Sequence, residues 1–142
     1  MKPVLFLRMA SVVTFVHAAL HTVNMLFGKP EPGPQQIAIA AMKSNQFLLM
    51  GMTRSFWDFY LGFGFATSIL LLAESIVFWQ LSSLAKTGAA RLRWILATFT
   101  IGYLALTANS FAYFFAPPVA TELVIEMCLA LAVLTSRPAA KA

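Results

Sequence analysis

A chain of 142 residues that is 60% hydrophobic and only 11% charged cannot hide its apolar surface in the core of a soluble domain; soluble domains are about half apolar and about a quarter charged. The formal charge of +5 comes from Lys and Arg set singly at the ends of apolar runs, with no basic stripe interleaved with aromatics, so no nucleic-acid partner is expected. The one cysteine, Cys128, excludes a disulfide framework and a thiolate-rich zinc site, and inside an apolar run it reads as a buried, inert thiol.

The lipid bilayer is the solvent that suits this composition. A hydrocarbon core requires about 20 mostly apolar residues per helix, and four runs qualify. The first covers residues 9–27 and ends in Gly28-Lys29-Pro30-Glu31-Pro32-Gly33-Pro34, which no helix crosses. A cleaved signal peptide is the competing reading of this run, given Lys2 and the small pair Ala18-Ala19. Arg8 interrupts the early apolar stretch, however, and the run continues past any cleavage point, which favours a membrane span.

Residues 35–52 follow, with Ile37, Ala41, Ser44 and Leu48 at helical spacing and Gln36, Lys43 and Gln46 polar. This pattern predicts a short amphipathic helix on the outer membrane surface, either roofing the spans or only connecting them. The second span covers 56–84 and ends near Lys86-Thr87-Gly88. Ser55 and Asp58 form a capping-box pattern at its start, with Trp57 and Tyr60 as interfacial aromatics and Arg54 in reach of Asp58. The third span, 92–115, stops at Pro117-Pro118, and the fourth, 117–136, opens on those prolines.

The expected fold is therefore all-α: one transmembrane domain, a four-helix bundle with an interfacial helix between the first two spans. Lys2, Arg8, Lys86, Arg91, Arg93, Arg137 and Lys141 fall on one side, and only Lys29, Lys43 and Arg54 on the other. By the positive-inside rule both termini are cytoplasmic, in a multi-pass protein of a bacterial inner membrane. Small residues at spacings of three or four (Gly62 and Ala66, Gly64 and Ser68, Ala108 and Ala112) allow close helix approach, within the bundle or in a homo-oligomer or with a membrane partner protein.

Ionisable residues are expensive in lipid and so carry the functional signal. At about 1.5 Å of rise per residue, His17 falls near the bilayer centre, with His21 and then Asn24 at successive turns outward. On the fourth span Glu126 is central and Glu122 one turn outward, while Asn109 and Tyr113 of the third span reach a similar outer depth.

His17, His21 and Glu126 are thus candidates for catalysis, and Asn24, Asn109, Tyr113 and Glu122 for ligand binding. The imidazoles, which titrate near neutrality, would polarise or protonate an apolar ligand such as a quinone or lipid. His17 and His21 share a helix face, as do Glu122 and Glu126, so the four also form a candidate zinc or non-haem iron set, with a metal-dependent membrane redox protein as the corresponding function. Ala18 stands where the metalloprotease pattern has Glu, which disfavours peptidase chemistry. Two histidines on one face do not suit a single haem clasped from both sides, although one of them could pair with a ligand from elsewhere, and no cofactor is specified.

The bland alternative is that the same residues hydrogen-bond across helices and lock the bundle of an accessory subunit. Glu122 could also serve the dipole in a first helical turn. Glu74 stands apart in the inner half, with Arg8 or Arg93 as expected ion-pair partners and a proton relay to the outer cluster as the second reading. Phosphate loops and nucleophile motifs are absent from the sequence.

Two stretches, Phe56-Trp57-Asp58-Phe59-Tyr60-Leu61-Gly62-Phe63-Gly64 leading to Phe78-Trp79-Gln80-Leu81, and Tyr113-Phe114-Phe115-Ala116-Pro117-Pro118, resemble a family of small, uncharacterised bacterial four-helix membrane proteins. The resemblance implies the topology and no activity. In size and layout the chain is more loosely similar to DoxX-like quinone-linked proteins and to sterol-isomerase-like proteins, with no site residue carried over from either.

Overall fold

A computed structural model describes residues 2–136; Arg137, Pro138 and Lys141 lie outside the described residues. Within them the elements are α1 (Lys2–Phe27), α2 (Pro34–Ser44), β1 (Gln46–Leu49), β2 (Met52–Ser55), α3 (Phe56–Tyr113) and α4 (Ala116–Thr135). The protein is mainly all-α, and α1, α3 and α4 are each long and apolar enough to cross a membrane.

The 58 residues of α3 contain the expected span 56–84 and the expected span 92–115 as far as Tyr113, as two arms separated at Gly88, whose backbone (φ −151°, ψ 38°) is not helical. The Tyr103 hydroxyl donates to Glu74 Oε2 at 2.7 Å, although the two residues are 29 apart in sequence. In a straight helix that separation would be about 43 Å. Phe78 meets Phe99 edge-on with centroids 5.1 Å apart. Both pairs are centred on Gly88-Ala89, so α3 folds back there as an antiparallel hairpin. Glycine is the poorest helix former after proline, and the helix resumes with almost no loop.

The chain divides into two compact units, one formed by residues up to His17 together with those from Leu71 onward, the other by Ala18–Leu70. In the first, Leu7, Phe78, Leu81, Leu96, Ile125 and Leu129 make the core. Ser11, Thr14, Ser75, Ser82, Thr107 and Ser110 are buried beside them, whereas Leu5, Phe15, Ile76, Trp94 and Leu104 are exposed. Small and hydroxyl-bearing residues inside with large apolar ones outside is the partition of helices solvated by lipid. Most of the hydroxyls are satisfied on their own helix, as Thr14 is by Ala10 O at 2.8 Å and Ser82 by Trp79 O at 2.7 Å. Ser11 instead reaches across to Ser75 O at 2.7 Å and ties α1 to the first arm of α3.

In the second unit the helix expected over 35–52 is shorter. It ends at Ser44 because three donors, Ser44 Oγ (3.2 Å), Asn45 Nδ2 (2.8 Å) and Asn45 N (3.1 Å), converge on the Ala41 carbonyl, the local competition by which Ser and Asn end helices. Residues 46–55 then form an antiparallel hairpin with Leu49 opposite Met52. Met50 and Gly51 both have positive φ, 50° and 84°, as a two-residue type I′ turn requires. None of α2 is buried, in keeping with a surface helix. Lys43 lies 4.7 Å over the Trp57 ring, which stacks on Tyr60 at 5.1 Å.

At the start of α3 the capping box forms as expected. Asp58 Oδ2 accepts from Ser55 N at 2.7 Å and Ser55 Oγ at 2.9 Å, and Asp58 N donates back to Ser55 Oγ at 3.2 Å.

Candidate functional site

The densest set of buried polar groups lies in the first unit, between the second arm of α3 and α4. Phe115 is extended and Pro117 and Pro118 occupy the first turn of α4, where their missing N–H groups cost nothing. Glu122 therefore lies beyond the first turn, and the helix-dipole role considered for it does not apply.

Glu122 is only 4% exposed. Ser110 Oγ donates to its Oε1 at 2.8 Å, while its Oε2 has no protein partner. Glu126 Oε2 and Thr107 Oγ1 are likewise buried without a hydrogen bond. The second arm of α3 and α4 run antiparallel, so moving one turn away from their junction from the Ser110–Glu122 pair brings Thr107 to the level of Glu126. Three oxygens with unused hydrogen-bonding capacity thus occupy adjacent turns of facing helices, in surroundings where each costs on the order of 1–3 kcal/mol if left unmet.

His17 is half-buried in the same unit, its Nδ1 3.2 Å from Thr121 Oγ1. The Thr121 hydroxyl has one proton and lies 2.9 Å from Pro118 O. If that proton goes to the carbonyl, His17 Nδ1–H donates to Thr121. His21, in the second unit, is also half-buried, with Nδ1 2.9 Å from Ser68 Oγ. Both imidazoles therefore meet protein groups on other helical segments.

The remaining sequence candidates diverge from this picture. Asn24 and Asn109 are exposed, and Tyr113 is 79% exposed, unlike the buried Glu122. Among the described residues no group of three or more His, Cys, Asp and Glu side chains comes together to hold a metal ion. The set His17, His21, Glu122 and Glu126 is thus not assembled as a metal site: each histidine is turned to a hydroxyl, and Glu122 to a serine. Glu74 takes its hydrogen bond from Tyr103 and not from Arg8 or Arg93, and Arg8 lies 5.1 Å over the Trp79 ring instead. Cys128 is a buried free thiol, as expected.

Two open grooves are apolar-walled. One, in the first unit, has a volume of about 280 Å³ and is lined by Ser11, Val12, Phe15, Ser75, Ile76 and Trp79. The other, in the second unit, measures about 290 Å³ and runs along Phe59, Gly62, Phe63 and Ala66, with Arg54 and Asp58 at one end. His17, His21, Glu122 and Glu126 line neither.

Sequence reasoning missed the hydroxyl partners Thr107, Ser110, Thr121, Ser68 and Tyr103. A signal was present: Tyr103, Thr107 and Ser110 recur at spacings of four and three, one face of a helix. No family model, curated protein or solved structure matches the chain.

Proposed function

We propose that this is a multi-pass integral membrane protein of four spans, packed as a bundle, whose intramembrane carboxylates bind and protonate an apolar ligand such as a quinone or lipid. The observation that carries the reading is Glu122, a carboxyl almost wholly buried with one oxygen fixed by Ser110 and the other unpartnered. An intramembrane ionisable group with spare bonding capacity is a functional position by default.

Each arm of α3 exceeds the about 20 residues of a span, which supports four crossings. Two features support cytoplasmic termini: the fold-back at Gly88 lies between Lys86 and Arg91, and the Arg8–Trp79 contact draws Arg8 toward the same end of the first arm.

Native mass spectrometry and organic extraction of the protein purified from membranes test the reading. A stoichiometric lipid or quinone is expected to co-purify and to be lost in Glu122→Gln. Full occupancy in that variant, or none in the wild type, removes the proposal.

The hydrogen bonds of His17, His21 and Glu122 to other helical segments favour one further reading, an accessory subunit in which these groups only lock the packing. If His17→Ala and His21→Ala alter thermal stability while leaving ligand content unchanged, that second reading prevails.

A further inference from the structure

Trp79 takes part in two arrangements at once. Its ring carries the Arg8 guanidinium, 5.1 Å from the centroid, and it is also a wall of the open groove between α1 and the first arm of α3. The groove therefore ends at a positioned positive charge. Arg8 and Trp79 stand at one level, Ser11 and Ser75 one turn further along, and Phe15 one turn beyond them, since α1 and the first arm run antiparallel. All of these residues belong to the first compact unit.

The floor of the groove makes no demand for a polar ligand. Ser11 and Ser75 are both buried there. Ser11 Oγ donates to Ser75 O at 2.7 Å and Ser75 Oγ to Leu72 O at 2.8 Å, so both hydroxyl protons are already engaged. The walls, Val12, Phe15 and Ile76, are apolar and exposed. A small, satisfied floor between large apolar walls is a slot for a flexible hydrocarbon chain. A second helix fits it poorly, because helices in lipid approach one another over small residues, and here bulky side chains line both rims.

The mouth of the groove has the opposite character. Arg8 is exposed and has no carboxylate partner among the described residues, since Glu74 accepts from Tyr103 instead. Stacking on Trp79 covers one face of the guanidinium and leaves the donors around its edge, the fork that grips phosphate oxygens in pairs. Two turns beyond Trp79 the fold-back adds Lys86, Arg91 and Arg93 with no acid between them, so the field at this end attracts anions. Tryptophan and an arginine on a long apolar stem are residues of the membrane interface. They set the mouth at headgroup depth and the slot in the hydrocarbon.

We propose that this groove binds one anionic phospholipid, with its phosphate on Arg8 and an acyl chain along Val12, Phe15 and Ile76. A zwitterionic headgroup binds less well, because its ammonium brings a second cation beside the guanidinium. Glu122 does not line the groove. The site rests on the chain's lying in a bilayer and is independent of the ligand proposed for Glu122.

Native mass spectrometry of the full chain, delipidated in detergent and titrated with phosphatidylglycerol or phosphatidylcholine, tests the site. One saturable phosphatidylglycerol adduct is expected, bound about tenfold more tightly than phosphatidylcholine, as for a charge-assisted hydrogen-bonded pair. Arg8→Gln is expected to abolish that preference. Val12→Trp, which fills the slot and keeps the charge, is expected to weaken the binding of both lipids. Arg93→Gln removes an equal charge outside the groove and is expected to change the affinity by no more than about twofold. Should Arg8→Gln fail to fold, as judged by circular dichroism, Trp79→Leu takes its place and is expected to lose the preference as well. Equal binding of the two lipids by the wild type, an unchanged preference in folded Arg8→Gln, full binding in folded Val12→Trp, or as large a loss in Arg93→Gln as in Arg8→Gln each overturns the proposal. Glu122→Gln is expected to keep the phosphatidylglycerol adduct. A ligand lost on that substitution belongs to Glu122 and one lost on Arg8→Gln to the groove, so the two proposals fail separately.

Discussion

The two compact units handle lipid-facing sequence in opposite ways. The unit containing the α3 fold-back and α4 buries a run of side chains completely (Leu7, Phe78, Leu96, Ile125, Leu129) and sets hydroxyls and Glu122 among them. The unit of Ala18–Leu70 buries only Ala18, Ser55 and Ser68 among its described residues and leaves Ile37, Leu48, Met50, Phe63 and Ile69 exposed. Polar groups inside a packed interior have no water to turn to and must find protein partners or protons. Those in the thinly packed unit lie mostly near its surface, held by capping and cation–π contacts, with the Ser68–His21 pair as the exception. The difference teaches that similar sequence hydropathy supports two tasks: an interior where polar chemistry is possible, and a surface matched to lipid.

The largest test of this contrast is a matched pair of truncations. Phe78 is fully buried and packs on both Phe99 and Tyr103; Phe78→Ala should cost about 3–5 kcal/mol. Phe63 is 72% exposed, and Phe63→Ala should change stability by no more than about 0.5 kcal/mol. Reversible unfolding in mixed detergent micelles measures both. Equal losses would mean that the interior is not confined to one unit.

A second pair separates bonded from unbonded polar groups. Ser110→Ala removes the hydrogen bond that Glu122 Oε1 receives among the described residues and should destabilise by about 1–2 kcal/mol. Thr107→Val removes a buried hydroxyl that has no partner and should be neutral or slightly stabilising. A Thr107→Val protein as destabilised as Ser110→Ala would show that its hydroxyl is bonded after all.

How much of this was legible in the sequence depends on the residue. The four apolar runs, the break near Gly88 and the Ser55–Asp58 box were all readable, because each is a local signal of hydropathy, helix propensity or capping. The helical spacing was readable as well: His17 and His21, and Glu122 and Glu126, are each one turn apart on one helix. What depth does not give is azimuth. Asn109 shares the height of Ser110 but is turned about 100° from it, so one is exposed while the other bonds Glu122. The hydroxyl partners stayed hidden for a related reason, since most Ser and Thr in helices bond their own backbone and nothing in the sequence marks the exceptions. The hairpin at 46–55 was hidden by Leu48, which falls in helical register with Ala41 although Asn45 has already ended the helix.

At intermediate size, Gly88→Ala tests the fold-back. Alanine rewards a straight helix by about 1 kcal/mol relative to glycine, so the substitution should weaken the Glu74–Tyr103 hairpin by roughly that amount. A disulfide-trapping assay reads it: cysteines placed at Val77 and Thr100, close to the Phe78–Phe99 contact, should cross-link more slowly in the alanine background. Unchanged cross-linking would mean that packing of the arms, and not the glycine, fixes the turn.

The smallest effect belongs to the second unit. Ser68 Oγ lies 2.9 Å from His21 Nδ1 and 3.4 Å from Gly64 O, so Ser68→Ala should cost about 0.6 kcal/mol, the mean for interhelical hydrogen bonds in lipid. Gly64→Ala in the same stretch should cost little more, because the added Cβ meets only the flexible end of Met25, which can swing aside at small cost. If either substitution matches Ser110→Ala, the second unit is packed as tightly around its histidine as the first is around Glu122, and the contrast between them collapses. If both stay small, polar groups are held firmly only where the interior excludes every alternative.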